Sequence, residues 1–135
     1  MSIYLLDTNI VSELIKNPFG IVRARIDHVG ADNVFMSVIV AGELQIGVIN
    51  RGSQRLRERV YEAFTYIPVW PLPINVSEFY GPLRYDLNQR GLPISANDMW
   101  IAAHALAEDA VLVTNNIREF SRIANLKVEN WMQSE

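Results

Sequence analysis

Three acidic side chains stand in surroundings that suit chemistry better than those of the other acids in this sequence. Asp7 directly follows an apolar run at residues 3–6. Glu43 is the only charged residue in the stretch 33–50, and Asp98 stands just ahead of a long apolar segment. A charge in apolar surroundings is rarely buried unless it is paired or binds a metal. Grouped carboxylates can hold Mg²⁺ or Ca²⁺, and they can accept protons during hydrolysis.

Each of these acids also has an explanation that involves no chemistry. Asp7 could be the N-cap of the helix that follows it, because Asp is among the preferred capping residues. Glu43 could point along the edge of its helix into water. Ser95 and Asp98 have the spacing of a capping box with a shortened acid. The residues alone leave both kinds of explanation open for all three acids.

The elements that carry these acids follow from the hydrophobic pattern. Short apolar runs indicate strands that are buried on both faces, and apolar residues at helical spacing indicate the helices between them. Buried strands are predicted at residues 3–6, 34–37 and 111–114, with a proline-rich edge strand at 67–73 and a last strand near 127–129. Helices are predicted at about 10–15, 18–29, 39–47, 53–66, 75–90, 96–108 and 117–123.

Strands that alternate with helices predict an α/β fold whose mostly parallel sheet is covered on both faces. In such a sheet Asp7, Glu43 and Asp98 all fall at the carboxyl edge, where open α/β sheets bind ligands. Three carboxylates at one edge repel one another unless a divalent cation lies among them. A further oxygen ligand could come from residues 114–116, which end a neighbouring strand.

Composition narrows the kind of metal that such a site could hold. The chain has no cysteine, which excludes disulfides, thiolate catalysis and cysteine-ligated zinc. Its two histidines, His28 and His104, argue against a histidine-rich site. A metal here would therefore be held by oxygen atoms, which favours Mg²⁺, Mn²⁺ or Ca²⁺.

Length and charge limit the broad class of protein. The 135 residues fit one domain over residues 1–135. The net charge of −3 provides no overall attraction to nucleic acid, although Arg predominates among the basic residues and suits phosphate. The apolar runs are too short to span a membrane and no N-terminal signal is evident, so a cytoplasmic protein without membrane contact is expected.

Four motifs in this chain resemble those of the PIN-domain ribonucleases, and more narrowly the VapC and FitB-like toxins of bacterial toxin–antitoxin pairs. Each motif alone is weak, but four in this order at these spacings are specific, and the resemblance extends from Ile3 to Trp131. The motifs are Leu-Leu-Asp-Thr-Asn at 5–9, Gly-Glu-Leu-Gln-Ile-Gly at 42–47, Asn-Asp-Met-Trp-Ile-Ala-Ala-His-Ala at 97–105 and Val-Thr-Asn-Asn-Ile-Arg-Glu-Phe at 113–120.

The resemblance implies a single three-layer PIN domain with a five-stranded, mostly parallel sheet of order 3-2-1-4-5 between helices. It assigns Asp7, Glu43 and Asp98 as catalytic residues and metal ligands. The family's fourth acid corresponds to Asn116, which keeps an oxygen ligand but lacks the charge. The second of two metal ions is therefore in question. Glu119 could supply the missing carboxylate, or it could be a solvated residue on a short helix.

The activity implied by the resemblance is hydrolysis of RNA phosphodiester bonds with the help of Mg²⁺ or Mn²⁺. Thr8, Asn9, Thr114 and Asn115 would surround the metal ligands and orient the acids. No histidine or serine nucleophile is needed for such a reaction. His104 is accordingly expected to be a satisfied helix residue rather than a catalyst.

Basic residues offer candidate contacts to the RNA. Arg118 and Arg122 follow the fourth motif and lie beside the proposed site in sequence. Arg55 belongs to an arginine-rich turn and helix start, which could bind phosphate or could be a solvated face balanced by Glu58 and Glu62.

Two protein partners are implied by the resemblance. A cognate VapB-like antitoxin would lie across an apolar groove, and the toxin itself is expected to form a homodimer. Candidate groove residues are Ile10, Leu14, Phe64, Tyr66 and Trp70, and candidate dimer contacts are Tyr80, Tyr85, Met99 and Trp100.

Other functions are weighed against the same residues. A haloacid-dehalogenase-like phosphatase requires a second Asp two residues after the first, and Asn9 stands there. A response-regulator receiver requires paired acids before the first helix, which this chain lacks. A catalytically silent PIN-like binding module remains open because Asn116 replaces an acid and the overall charge is negative.

Overall fold

A five-stranded sheet lies at the centre of the protein, and the computed structural model describes residues 2–133. All strand pairs are parallel and the strand order is β3-β2-β1-β4-β5, which is the order that the family resemblance implies. The strands are β1 (Tyr4–Leu6), β2 (Val34–Ser37), β3 (Val69–Trp70), β4 (Val111–Val113) and β5 (Val128–Glu129). The helices are α1 (Thr8–Lys16), α2 (Ile21–Val29), α3 (Val38–Arg51), α4 (Gln54–Tyr66), α5 (Ser77–Gln89), α6 (Ala96–Ala107) and α7 (Ile117–Phe120).

Strand β1 is central because both of its faces are covered. Leu5 and Leu6 are completely buried, and β1 pairs with β2 on one side and with β4 on the other. Leu5 lies opposite Phe35 in β2 and opposite Leu112 in β4. This register brings the ends of three buried strands to one level, so the residues that follow them meet at the carboxyl edge.

The helices pack into two groups around the sheet. Helix α1 packs against α2, α3 and α4, whereas α5 packs along α6. One apolar core extends from Leu5 in β1 to Trp131 after β5. Helix α3 ends at Gly52, which adopts a left-handed conformation with a φ of 63° that favours glycine.

Several predicted boundaries differ from the structure. Helix α2 begins at Ile21 rather than at residue 18, because Asn17 closes α1 and leaves Gly20 as the N-cap of α2. The stretch 67–73 forms only the two-residue strand Val69–Trp70. The helix predicted at 75–90 is a turn of 3₁₀ helix at Ile74–Val76 followed by α5, and the one at 117–123 ends at Phe120. Within residues 2–133, no helix has the length and apolar character needed to cross a membrane.

Candidate active site

The strand ends bring the sequence-predicted site residues to one edge of the sheet. Asp7 follows β1 directly, and its backbone N–H donates to the Val113 carbonyl of β4 at 2.9 Å. Ser37 ends β2 and caps α3 by accepting from the Ile39 N–H at 3.2 Å, which places Glu43 in the second turn of that helix. Thr114 follows β4. The parallel topology therefore gathers residues that are more than 100 positions apart in sequence.

Asp7 is both a helix cap and a buried acid. Its side chain is only 6% exposed and accepts hydrogen bonds from the Thr8 N–H and the Thr114 hydroxyl, each at 2.8 Å. Burial raises the pKa of Asp7 above its ordinary value, the two hydrogen bonds oppose that rise, and the charge of Glu43 adds to it. The capping explanation is thus confirmed, and it coexists with a carboxylate that faces another acid.

Thr8 connects the first acid to the second. Its hydroxyl donates to Glu43 Oε1 at 2.6 Å, while its backbone N–H donates to Asp7 Oδ1. Glu43 is only partly exposed and is directed to the site rather than freely into water. One threonine therefore fixes the relative positions of two carboxylates that belong to different helices.

The fourth motif places an amide and an acid together. Asn116 donates through Nδ2 to Glu119 Oε2 at 3.0 Å, and its backbone N–H donates to the Thr114 hydroxyl at 3.0 Å. At the neighbouring turn, Asn9 Nδ2 donates to Asn115 Oδ1 at 3.1 Å. The alternative in which Glu119 is merely solvated does not describe this arrangement, because Glu119 is half-buried and hydrogen-bonded to Asn116.

The pKa of Asp98 is affected by the charges of the other three acids at this edge. It lies in the first turn of α6, where its backbone N–H donates to the Ser95 hydroxyl at 3.2 Å as half of the predicted capping box. Burial raises the pKa of Asp98 to about 6. The charges of Asp7, Glu43 and Glu119 also raise it, and a hydrogen bond from Ser95 lowers it. Four carboxylates therefore share one electrostatic environment.

The oxygen atoms of these side chains suit a hard divalent cation. They do not, however, lie close enough together to form a complete coordination shell. Within residues 2–133, no three His, Asp or Glu side chains converge closely enough to form a ready-made metal site. Glu43 and Asp7 are held by threonine hydroxyls instead. The ligands on offer are nevertheless all oxygen atoms, and their mutual repulsion is relieved by positive charge.

The basic residues predicted to contact substrate are placed differently from one another. Arg118 is exposed on α7, one position before Glu119. Arg122 is half-buried, and its carbonyl accepts from the Arg90 guanidinium, which also pairs with Asp86. Arg55 is exposed in the first turn of α4. Their contacts with RNA stay a prediction.

His104 is not the satisfied residue that the sequence suggested. It is completely buried in α6, and within residues 2–133 neither ring nitrogen has a hydrogen-bond partner. Nε2 lies 3.4 Å from Glu108 Oε2, an approach that becomes an ion pair only on protonation. Burial lowers the pKa of His104 and Glu108 partly opposes this effect. The expectation that His104 is not a catalyst is consistent with its position, because its ring packs on Phe35 and not beside Asp7 or Glu43.

Several candidate partner contacts lie in the core instead of at the surface. Ile10 is completely buried, so it does not line a groove, and Met99 is only 4% exposed. Trp70 stacks on Phe35 with ring centroids 4.0 Å apart. Leu14 and Tyr66, by contrast, line an open cleft together with Ile15, Ala63 and other residues of α1 and α4. Aromatic type alone did not separate core from surface for these positions.

This chain is similar to a known protein family and to proteins of named function. The PIN domain family matches residues 4–126. The ribonuclease VapC2 of Rickettsia felis is 40% identical over 132 residues, which cover 96% of this chain and 98% of that protein. A tRNA(fMet)-specific endonuclease VapC of Shigella flexneri is 32% identical, covering 95% of this chain and 97% of its own length.

Solved structures agree with these sequence matches. The VapBC2 complex of Rickettsia felis bound to a promoter DNA fragment contains a chain that superimposes with a TM-score of 0.87 at 38% identity, covering 96% of this chain and 98% of that one. The VapBC-1 complex of nontypeable Haemophilus influenzae contains one with a TM-score of 0.85 at 35% identity, covering 97% and 99%. The chain therefore belongs to the PIN-domain family and, within it, to the VapC group.

Proposed function

We propose that this protein is a metal-dependent endoribonuclease toxin that hydrolyses RNA phosphodiester bonds. The observation that carries the proposal is the pair of carboxylates, Asp7 and Glu43, that Thr8 joins by hydrogen bonds at the carboxyl edge of the sheet. Asp98 lies near enough to both for their charges to raise its pKa. Relatives of the VapC group that cover nearly the whole chain are named as ribonucleases, which supports the same reaction.

Mg²⁺ or Mn²⁺ is the cofactor that this donor set favours. Asp7, Glu43 and Asp98 would hold the ion, with an oxygen ligand from Asn116 and Glu119 as a candidate additional acid. When bound, the cation would supply a Lewis acid that activates water and screens charge on the scissile phosphate. The Asn116 amide can ligate a cation without neutralising its charge.

The chain's own residues position the acids and handle the proton. Thr8 and Thr114 hold the carboxylates of Glu43 and Asp7 in fixed orientations. A carboxyl whose pKa lies near the working pH is an effective acceptor of a proton from water. Asp98, whose pKa is raised by burial, and Glu43 are the candidate acceptors.

RNA cleavage with Mg²⁺ tests the proposal. Asp7→Asn and Asp98→Asn are each expected to abolish cleavage while the circular dichroism spectrum stays that of the parent. Asp32→Asn, an exposed acid outside the site, is the matched control. Transfer RNA is a suitable first substrate because a relative is named as specific for tRNA(fMet). Wild-type rates in Asp7→Asn would refute the catalytic assignment.

The alternative of a catalytically silent binding module makes a different set of predictions. The parent protein would cleave no RNA with Mg²⁺ or Mn²⁺, and titration calorimetry would detect no binding of either ion. EDTA would then change none of its properties.

A cognate antitoxin is the protein partner that we propose for this chain in the cytoplasm. The VapC-group relatives of known structure are VapBC complexes, which supports such a partner. The open cleft with Leu14, Ile15 and Tyr66 is a candidate docking surface, and Phe19 beside it is 91% exposed. Tyr66→Ala is expected to weaken inhibition by the antitoxin without reducing RNA cleavage by the free toxin. Analytical ultracentrifugation tests the proposed homodimer.

A further inference from the structure

A second cleft opens beside Glu43, one of the acids of the candidate active site. It lies between α1, α3 and α4 and has a volume of about 410 Å³. Thr8, Asn9 and Glu43 line it at the end that belongs to the candidate active site, and Lys16 and Arg51 line it elsewhere. We call it the basic-ended cleft.

The two cations occupy equivalent positions on neighbouring helices. Lys16 is eight residues beyond Thr8 on α1, and Arg51 is eight residues beyond Glu43 on α3. At a helical rise of about 1.5 Å per residue, each cation lies about 12 Å along its helix from the site residue. Since α1 packs against α3, the negative end and the positive end belong to one continuous cleft.

Neither cation is neutralised by a neighbour. Both side chains are exposed, and among residues 2–133 neither forms an ion pair. Each lies in the last turn of its helix, where the helix dipole favours positive charge. That effect accounts for each cation separately, but it does not account for the convergence of two unpaired cations on the cleft that leads to the acids.

We propose that the basic-ended cleft guides the RNA strand, with Lys16 and Arg51 binding backbone phosphates a few nucleotides away from the bond that is cut. The inference rests on the proposed ribonuclease function and adds the path of the substrate. The acids at one end would hold the divalent metal ion beside the scissile phosphate. The unpaired side chains of Lys16 and Arg51 at the other end complement the negative charge of phosphates farther along the strand. Asn9 and Ser12 line the cleft together with apolar residues such as Leu44 and Val48, so it is the two cations that favour a phosphate backbone over an apolar protein segment.

Charge removal is the first test. Lys16→Gln and Arg51→Gln are each expected to raise the Kd of the metal-free protein for a single-stranded RNA of about ten nucleotides. Each should also reduce the slope of log K against log salt by about 0.7, as expected for the loss of one phosphate contact. With Mg²⁺, KM should rise while kcat stays within about twofold, because the contacts are remote from the reacting bond. Lys127→Gln is the matched control, since Lys127 precedes β5 at the opposite edge of the sheet.

Substrate length and steric occlusion provide independent tests. The effect of both substitutions should disappear on an RNA of about three nucleotides, which engages the acids but reaches neither cation. Gly47 lines the cleft and has open space where a Cβ would lie, so Gly47→Leu should obstruct long RNA. Gly81→Leu adds the same side chain at an open position on α5 and should have no effect.

Three outcomes overturn the inference. If the parent cleaves RNA and the substitutions change neither Kd, KM nor the salt slope, the substrate path lies elsewhere although the ribonuclease function stands. If the substitutions weaken only the binding of an antitoxin protein, the cleft is a protein-docking surface. If the parent neither binds nor cleaves RNA, the proposed function fails and this inference fails with it.

Discussion

Asp7 caps helix α1 and also faces Glu43, and these two roles act in opposite directions on its charge. A cap favours the ionised carboxylate at the helix N-terminus, whereas burial and a neighbouring acid favour the neutral form. The pKa of Asp7 is raised, so burial and repulsion prevail in the metal-free protein. The site is therefore prepared for positive charge at a cost in stability.

Asp7→Asn is expected to raise the melting temperature of the metal-free protein at neutral pH. The folded-state pKa lies above the ordinary value of 3.8, so the stabilising contribution of the neutral form is lost as the pH rises through the folded pKa. Asn keeps an acceptor for the Thr8 N–H and removes the charge. Thermal melts in EDTA from about pH 4 to 8 measure the difference between parent and variant. A difference that shrinks as the pH rises would contradict this account.

Glu119→Gln is expected to lower the pKa of Asp98 below about 6, because the charge of Glu119 is among those that raise it. The shift should be modest, since burial and Asp7 have larger effects. Gln can still accept the hydrogen bond from Asn116. Carboxyl chemical shifts in EDTA report the titration directly, with the exposed Glu58→Gln as control. An unchanged Asp98 titration would place Glu119 outside the shared environment.

At the scale of elements, the site depends on hydrogen bonds between helices that the sequence does not place side by side. Thr8→Val removes the hydroxyl that joins the start of α1 to Glu43 in α3. Loss of a group that orients a ligand typically reduces activity by about 10–100-fold. RNA cleavage should fall by that amount while the melting temperature changes little, and Thr8→Ser should retain activity. Equal rates in the Val and Ser variants would show that the hydrogen bond is dispensable.

Helix α6 contains a buried group that opposes folding in acid. The pKa of His104 is lowered from 6.5, so the unfolded chain takes up a proton that the folded protein resists as the pH falls below that value. The stability difference grows by at most about 1.4 kcal/mol per pH unit. His104→Leu should remove this loss, which urea denaturation at about pH 7 and pH 5 would measure against the parent. Because Asp98 titrates in the same range with the opposite sign, the comparison must be between variants at each pH.

The start of a helix could be predicted where a single residue determines it. The prediction was wrong where the end of one helix competes with the start of the next. Ser37, Ser53 and Ser95 each cap a helix whose predicted start lies within two residues of the serine. The helix predicted from residue 18 begins only at Ile21, because the side chain and the backbone N–H of Asn17 both donate to Glu13 and close α1 instead. The same limit applies in the site, because the sequence allowed Glu119 to reach in but did not predict the Asn116 contact that holds it.

At the scale of the whole molecule, the strand order followed from the resemblance, and the gathering of the acids followed from parallel topology. The basic-ended cleft could not be predicted from the sequence. In the sequence Lys16 and Arg51 are ordinary cations at helix ends, and only the packing of α1 against α3 brings them to one cleft. Position in space also separates core aromatics from surface ones. Trp70 and Trp131 are partly or fully buried, whereas Phe19 is almost completely exposed.

The core continues beyond the part of the chain that matches the family, which ends at residue 126. Trp131 is completely buried, its ring lies 5.3 Å from that of Tyr4 in β1, and its Nε1 donates to Glu129 at 3.0 Å. Residues after β5 therefore cover the start of the central strand.

Trp131→Ala should consequently lower the free energy of unfolding by about 3–5 kcal/mol, the usual cost of truncating a buried Trp. Such a loss is a large part of the total for a domain, which is about 5–15 kcal/mol. Phe19→Ala removes an aromatic ring that is 91% exposed and should change stability by less than about 0.5 kcal/mol. Urea denaturation measures both variants. If Trp131→Ala were as stable as Phe19→Ala, the segment after β5 would be an appendage, and the folding unit would end with the family match.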